Sequence, residues 1–324
     1  MRPTSWLGAV CLAWAALASA GAQAAYPEKP VNIVVGFAPG GTNDILARLI
    51  ATELEKRLGQ PFVVENKPGA NSMISANYVK RAEPDGHTLL VIASGGLTVN
   101  PAVYAPGRVT YDPVRDFTPI AQLALYPMVV TTGPNLADVR TLPALLERAR
   151  SDAKPLTHGV ATSAFQLAAA LMAADAGIEF THIPYKGSGP VVTDLMGGQL
   201  DVAFLDAAAV TSQLGSGRLH ALAVTTPQRS PALPDTPTVA ESGLPGYDAA
   251  LWAGLVAPAG TPAAVIERIN AALADALASP ALRERFEQLG MSPGTADSQT
   301  LAAAIQRDLA RWTRVASDAG IRIE

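Results

Sequence analysis

A regular alternation of buried strands and amphipathic helices limits the folds open to this chain more than any other feature. Val31–Ala38 is a continuous apolar, β-branched run, which is typical of a strand buried on both faces. Asp44–Leu58 then takes a helical period, with its apolar residues on one face and Gly59 after its end. Further strands are predicted at 62–64 and 88–93, with a helix at 74–82 between them. This order predicts parallel strands joined by helical crossovers.

The middle of the chain repeats this pattern. Its predicted strands are 128–132, 156–160, 179–185, 201–205 and 219–225, and its predicted helices are 142–150, 164–176 and 191–196. Two half-sheets fit this layout, joined by chain that passes twice between them. Pro119–Tyr126 and Gly243–Trp252 are the candidate crossings.

The C-terminal part is predicted to be helical. Thr261 offers an N-cap and Pro262 a first helical residue, while Pro280 stops that helix. A second helix is indicated by an apolar stripe from Leu301 to Val315.

Composition excludes several classes of protein. Hydrophobic residues make up 49% of the 324 residues and charged residues 16%, which argues against long disorder and coiled coils. The 24 basic and 28 acidic residues give a net charge of −4, so neither nucleic acid nor an anionic membrane is expected as the main partner. The single Cys11 cannot pair within the chain.

The first 24 residues have the pattern of a secretory signal peptide. Arg2 precedes an apolar stretch from Leu7 to Ala20, and Ala22-Gln23-Ala24 provides an A-x-A cleavage site. The apolar stretch is shorter than the ~20 residues that a membrane-spanning helix needs. We therefore expect export to the periplasm, with a retained N-terminal anchor as the alternative.

Candidate ligand contacts lie in the loops after the predicted strands, where parallel α/β sheets bind their ligands. Pro39–Asp44 follows the first strand, and its two glycines lead into a helix whose first amides are unpaired. This loop suits a carboxylate without any lysine or arginine. The sequence equally allows a plain turn in which Asn43 or Asp44 only caps the helix.

Other loops contribute further candidates, each with a structural alternative. Ser163 is a possible N-cap, and Trp252 is either a core aromatic or a wall of the cleft. Asp206 ends a buried strand, so it must cap, pair or face the cleft. Additional polar candidates after strands are Asn66, Asn71, Ser72, Ser94, Gly95, Thr162, Tyr185 and Lys186.

Catalytic and cofactor motifs are not found in the sequence. It has no G-x-S-x-G, Walker A or G-x-G-x-x-G pattern, and its four histidines are isolated. Without Cys11 the exported chain has no thiol, which argues against a zinc site. We predict no cofactor, no metal and no enzymatic activity.

A set of ordered stretches carries a family resemblance: YPEKPVNIVVGFAPGGTNDILAR (26–48), VVENKPGA (63–70), PDGHTLL (84–90), NPAVY (100–104), YDPVRDFTPIA (111–121), IPYKGSGPVVTDLMGGQLDVAFLD (183–206), LPDTPTVAESGLPGY (233–247), APAGTP (257–262) and AGIRIE (319–324). Through these stretches the chain resembles, over residues 26–324, the Bug-type periplasmic solute receptors of the tripartite tricarboxylate transporter family.

This resemblance implies an α/β, two-lobed periplasmic binding protein of type II, a Venus flytrap with mainly parallel sheets and a hinge crossed twice. Lobe 1 would comprise residues 25–122 and 247–324, and lobe 2 residues 123–246. The lobes would close on a small organic anion, commonly a carboxylate, and present it to the membrane permease subunits. A monomer is implied. With the loops above, the expected ligand contacts are Phe37, Pro39, Gly40, Gly41, Thr42, Asn43, Asp44, Ser72, Ser94, Gly95, Thr162, Ser163, Phe165, Tyr185 and Asp206.

Two departures from the family pattern affect the expected ligand. Where this chain has Val160–Gln166, the family usually has a Gly-rich loop followed by a histidine. At 69–72 the family usually has more glycine, whereas this chain has Asn71 and Ser72. Both changes narrow or re-line the cleft. The ligand could then be an aromatic or amide-bearing compound that contacts Phe165, in place of an ordinary dicarboxylate.

Three functions are compatible with these features. A non-enzymatic receptor is the leading hypothesis, because loops at helix starts occur in both halves without catalytic motifs. The same fold could instead report ligand to a signalling partner. A secreted α/β enzyme using Asp44, Asp206 and a histidine is the third, and it requires one of the four histidines to reach the cleft.

Overall fold

Two β-sheets organise the computed structural model, which describes residues 26–185 and 187–323. The predicted signal peptide lies outside these residues. The strands are β1 (Val31–Val35), β2 (Phe62–Asn66), β3 (Thr88–Ala93), β4 (Phe117–Tyr126), β5 (Met128–Thr132), β6 (Leu156–Val160), β7 (Phe180–Pro184), β8 (Val202–Asp206), β9 (His220–Val224), β10 (Leu251–Pro258) and β11 (Ser292–Thr295).

Helices cover the faces of both sheets. They are α1 (Thr42–Leu58), α2 (Met73–Lys80), α3 (Asn100–Val103), α4 (Leu142–Ser151), α5 (Ser163–Ala176), α6 (Ser188–Met196), α7 (Ala207–Leu214), α8 (Ala263–Ala278), α9 (Pro280–Gln288) and α10 (Ser298–Asp318). Short 3₁₀ turns lie at Ala70–Ser72 and Pro134–Leu136, and a π-helical turn lies at Gly95–Val99. Within the described ranges, no helix has the length and apolar character needed to cross a membrane.

The sheets are mixed, which corrects the expectation of mainly parallel strands. The first has the order β11-β4-β10-β3-β1-β2, and the second has the order β7-β6-β8-β5-β9. β1 is parallel to β2 and β3, and β6 is parallel to β7 and β8. β10 is antiparallel to β3 and β4, as β5 is to β8 and β9. The reason is topological, because a strand leaving a sheet and the neighbouring strand re-entering it run in opposite directions.

The first crossing lies just beyond its predicted segment, while the return crossing falls within the predicted segment Gly243–Trp252. Residues 119–126 belong to β4, so the chain changes sheets at Pro127 and not after residue 122. On the return, the amide of Ala249 still bonds to the carbonyl of Thr225, so the chain stays with the second sheet beyond residue 246. β4 was not predicted because Pro119 and the polar Gln122 interrupt its apolar pattern. The strand nevertheless lies between two partners, β10 and β11.

The C-terminal part also contains strands that were not predicted, β10 and β11. Thr261 was predicted to cap α8, but it does not, because its hydroxyl donates to the carbonyl of Pro258 at 2.8 Å. Pro262 occupies the N-cap position instead. α9 begins at Pro280, which both ends one helix and starts the next.

One helix joins the cores of the two sheets. The first half of α10 buries Leu301 and Ile305 with Trp252 of the first sheet. Its second half buries Trp312 and Val315 in the core around the second sheet. α10 therefore packs on both sheets, across the region where the chain crosses between them.

Candidate ligand-binding site

A cavity of about 260 Å³ lies where loops of both sheets and both crossings meet. The first sheet and its loops contribute Phe37, Gly41, Thr42, Asn43, Asn71, Ala93 and Gly95, and the second contributes Thr162, Ser163, Ala164, Phe165, Asp206 and Ala207. Tyr126, Pro127 and Leu251 come from the crossings, and Leu289, Gly290 and Met291 come from the loop after α9. Nine of the predicted contacts are thus brought together at one site: Phe37, Gly41, Thr42, Asn43, Gly95, Thr162, Ser163, Phe165 and Asp206.

The start of α1 forms one side of this cavity. Gly41 is its N-cap in an extended conformation, with no side chain capping the helix. Gly40 before it has φ +84°, a left-handed conformation that favours glycine. Thr42 and Asn43 stand at the first helical positions, whose amides have no partner inside the helix. These amides, with the helix dipole behind them, can hold a carboxylate.

Asp44 faces away from the cavity and holds this loop in place. Its buried carboxylate accepts hydrogen bonds from the Gly40 amide at 2.9 Å, Asn66 Nδ2 at 2.8 Å and Arg48 Nε at 3.0 Å. Burial alone would raise the pKa of Asp44, but the hydrogen bonds from Arg48, Gly40 and Asn66 outweigh it and lower the pKa to about 2. Asp44 is therefore a charged brace for the loop, which favours the structural interpretation for this residue.

Asn43 connects the same helix start to the first crossing. The hydroxyl of Tyr126 donates to Asn43 Oδ1 at 3.1 Å. Burial raises the pKa of Tyr126, and the nearby negative charge of Asp206 raises it further. The phenol therefore stays protonated and directs its proton to Asn43.

The loop at 70–72 has a strained backbone beside the cavity. Ala70, Asn71 and Ser72 all have positive φ, at 46°, 49° and 70°. Non-glycine residues rarely adopt this conformation, so the glycine that the family usually places here has a physical reason. Asn100 supports the strained loop, because its Nδ2 donates to the carbonyl of Asn71 at 2.9 Å.

The start of α5 forms the opposite side. Thr162 is its N-cap, and the Thr162 hydroxyl accepts a long hydrogen bond of 3.4 Å from the Phe165 amide. Ser163 and Ala164 occupy the first two helical positions and line the cavity. Phe165 lines it as well, and most of its ring is buried in the second core. The starts of α5 and α1 therefore line the same cavity.

Asp206 lies at the end of β8, pointing into the cavity. Although it precedes α7 at the N-cap position, its side chain makes no capping hydrogen bond. Its Oδ2 accepts from the Ser188 hydroxyl at 3.1 Å. Surrounding protein atoms desolvate the carboxyl group and raise its pKa, against the effect of the Ser188 hydrogen bond, while the side chain keeps solvent-accessible surface in the cleft.

Six predicted contacts do not line the cavity: Pro39, Gly40, Asp44, Ser72, Ser94 and Tyr185. Ser94 is buried, and its hydroxyl accepts from the Trp252 amide at 3.3 Å. Tyr185 follows the edge strand β7, and its hydroxyl donates to Asp194 on α6 at 2.6 Å. Trp252 is a core residue, 1% exposed.

Sequence reasoning missed the crossings and the loop after α9 as parts of the site. Tyr126 ends β4 and lies in the first predicted crossing, but it was not predicted to line the cavity. Gly290 has φ +70°, and a Cβ built there would lie 3.6 Å from Ala207 of the second sheet's side. The glycine was the available signal, since a left-handed turn brings the loop close to Ala207.

The charges of the cavity limit its chemistry. Among the described residues, no lysine or arginine lines it, and Asp206 is its one charged side chain. None of the four histidines lines it either, so the requirement of the enzyme hypothesis is not met. No cluster of three metal-ligating side chains occurs in residues 26–185 and 187–323. The arrangement is suited to holding an anion by backbone amides.

Comparison with solved structures gives close likenesses over nearly the whole chain. The chain is 36% identical to R. palustris Rpa4515 with adipate, covering 92% of this chain and 99% of that one, at a TM-score of 0.78. It is 34% identical to the periplasmic binding protein BugD, covering 92% and 100%, at a TM-score of 0.74. MatC from Rhodopseudomonas palustris with bound malate is 32% identical, covering 90% and 99%, at a TM-score of 0.73.

These likenesses confirm the predicted two-lobed periplasmic binding protein fold. A family model described as the tripartite tricarboxylate transporter family receptor, TctC, matches residues 46–321. The match covers both crossings and all the strands described above except β1. The chain therefore belongs to the tripartite tricarboxylate transporter receptor family.

Proposed function

We propose that this protein is a periplasmic receptor that captures a small organic carboxylate in the cleft and delivers it to a tripartite tricarboxylate-type permease. One observation carries the proposal: the N-termini of α1 and α5, from opposite sides, face one cavity that no described lysine or arginine lines. Each helix start supplies free amides and a partial positive charge of roughly half a unit. Together they can neutralise a carboxylate that bridges the two sides.

The relatives support a carboxylate as the ligand. Rpa4515 is described with adipate and MatC with malate, and both are small dicarboxylates. A ligand touching both sides would stabilise the closed arrangement, because it binds that arrangement more tightly than an open one. The predicted signal peptide, residues 1–24, and the family both support export to the periplasm.

An enzymatic role is disfavoured by the histidines, which all lie away from the cavity, and by the family, whose members are solute-binding receptors. Ligand sensing for a signalling partner would need the same closed state. Loss of uptake of the bound acid in a strain lacking the permease, restored by the permease alone, supports delivery over signalling.

The amide mechanism is tested by removing one amide at a time. Ser163 is the first helical residue of α5 and follows an extended Thr162, so proline fits there while deleting the amide hydrogen. We expect Ser163→Pro to weaken binding of the best organic acid about tenfold or more, since one hydrogen bond to a charged group is lost. Isothermal calorimetry, after a thermal-shift screen of mono- and dicarboxylates, measures this.

Ser163→Ala is the matched control, because it removes the hydroxyl and keeps the amide. Its affinity should stay within about threefold of the parent protein. Thr42→Pro and Thr42→Ala repeat the comparison on α1. The proposal is wrong if no organic acid binds, or if both proline variants bind as tightly as their alanine controls.

A further inference from the structure

Asp206 introduces an unbalanced negative charge into a site that is built for anions. It is the one charged side chain among the described residues that line the cavity, and it stays accessible there. The Ser188 hydroxyl donates a neutral hydrogen bond to its Oδ2 at 3.1 Å. No ion pair involving Asp206 occurs in the part of the chain that the structure describes.

The position of Asp206 keeps its charge close to any bound ligand. In the pairing of β5 with β8, Asp206 stands opposite Met128, two residues after Tyr126 at the first crossing. A sphere of 260 Å³ is about 8 Å across, which does not exceed the roughly 8 Å over which physiological salt screens charges. A ligand held by the α1 and α5 amides therefore interacts with the Asp206 carboxylate with little screening.

No cation pairs with this carboxylate in the described part of the chain. The Tyr126 hydroxyl, a strong donor on the crossing, donates to Asn43 instead. The helix start of α7 is equally unused, because the Asp206 side chain makes no capping bond. The carboxylate is thus not accounted for as a structural residue, in contrast to Asp44.

We propose that Asp206 is a specificity residue that favours organic acids carrying an amino group, with the carboxylate on the helix amides and the ammonium on Asp206. This inference rests on the proposed function and specifies its ligand class. A plain dicarboxylate brings two negative charges next to a third. An amino acid of the same length keeps both carboxylates but adds an ammonium, and its charge-assisted hydrogen bond to Asp206 offsets that repulsion.

The raised pKa of Asp206 is consistent with this role, because a carboxylate surrounded by protein without a cation resists ionisation. An ammonium ligand would stabilise its ionised form. The preference for amino acids should therefore weaken when the solution is acidified until Asp206 binds a proton.

The test compares pairs of acids that differ only in the amino group: glutarate with glutamate, and adipate with 2-aminoadipate. Calorimetry gives their dissociation constants for the parent protein and for Asp206→Asn, which keeps the shape and removes the charge. We expect the parent to prefer the amino member of a pair at least tenfold. In Asp206→Asn this ratio should fall about tenfold, with a gain in affinity for the plain dicarboxylate.

Two controls isolate the charge of Asp206. Asp152→Asn removes an exposed carboxylate that does not line the cavity and should keep the preference. Lys186→Met removes a cation two residues before Ser188 in the sequence, and it should also keep the preference for the amino member. Lys186 lies outside the described residues. Thermal unfolding without ligand shows whether each variant is folded.

The outcomes separate the two proposals. If no acid of either kind binds the parent protein, the proposed function fails and this inference fails with it. If acids bind but the parent shows no preference, or Asp206→Asn changes both members of a pair equally, only the role of Asp206 is wrong.

Discussion

The indole Nε1 of Trp252 donates a 2.7 Å hydrogen bond to Oδ2 of Asp308, and both side chains are 1% exposed. Trp252 lies on β10, just after the return crossing, and Asp308 lies on α10. The other carboxylate oxygen accepts from Arg307 Nε at 3.1 Å and Arg311 Nη2 at 3.0 Å. Arg311 also donates to the carbonyl of Asp248 within the crossing. This buried network ties the helix that joins both cores to the chain that passes between them.

Asp308→Ala is expected to destabilise the protein by about 3 kcal/mol, because it leaves the buried Trp252 indole and Arg311 without their acceptor. Urea unfolding at neutral pH measures the change. A double-mutant cycle with Trp252→Phe should give a coupling free energy of about 1 kcal/mol or more. Strict additivity of the two substitutions would contradict a direct energetic link.

The Asp44 brace predicts a loss of stability in acid. The pKa of Asp44 is about 2 in the folded protein, below the ordinary unfolded value of about 3.9. Its contribution to the free energy of unfolding is therefore complete well above pH 4 and disappears as the pH falls toward 2. The contribution amounts to about 2 kcal/mol. Urea unfolding of the parent and of Asp44→Asn should differ at pH 7 and converge near pH 2. Glu28→Gln, at an exposed carboxylate, is the control, and a gap that persists at pH 2 would refute the account.

His158 predicts a second pH dependence, at milder acidity. It is wholly buried beside Phe180 and Phe204, and its Nδ1 lies 2.9 Å from Nδ1 of His182. Burial, and to a smaller extent the charge of His182, lower its pKa to about 3. The unfolded chain takes up a proton below about pH 6.5 and the folded chain does not, so stability falls as the pH drops from 6.5 toward 3.

His158→Met should flatten the dependence of unfolding free energy on pH between 7 and 5. The largest contribution of one such histidine is about 1.4 kcal/mol per pH unit. Urea unfolding at pH 7, 6 and 5 measures both slopes. Equal slopes for the two proteins would show that His158 does not carry this effect.

The strained loop beside the cavity predicts a stabilising substitution. Ala70 has φ +46° and an exposed side chain, so glycine relieves strain there without losing packing. Ala70→Gly should raise the free energy of unfolding by up to about 1 kcal/mol, after the entropy cost of glycine. Ala274→Gly, at an exposed position inside α8, should lower it by about 1 kcal/mol. If Ala70→Gly lowered the free energy of unfolding, the backbone at Ala70 would not be strained.

Much of the fold follows from periodicity in the sequence. Thr88–Ala93, Met128–Thr132 and Leu156–Val160 are strands at the predicted bounds, because continuous apolar runs between turns identify buried strands. β4 was missed, since its partners come from distant parts of the chain and its own composition includes Pro119 and Gln122. Local propensity does not encode such pairing.

The alternation of strands and helices, and the loops in which a ligand would be held, can be predicted from the sequence alone. Which side chains of those loops face the ligand depends on how the elements pack. Asn43 and Asp44 are neighbours, yet Asn43 lines the cavity while Asp44 is buried against Asn66. Adjacent helical residues point about 100° apart, so the packing of α1 on its sheet turns one inward and leaves the other in the cleft. Tyr126 and Asp206 come together through packing of another kind, because strand pairing beside the crossing brings residues distant in sequence to one point.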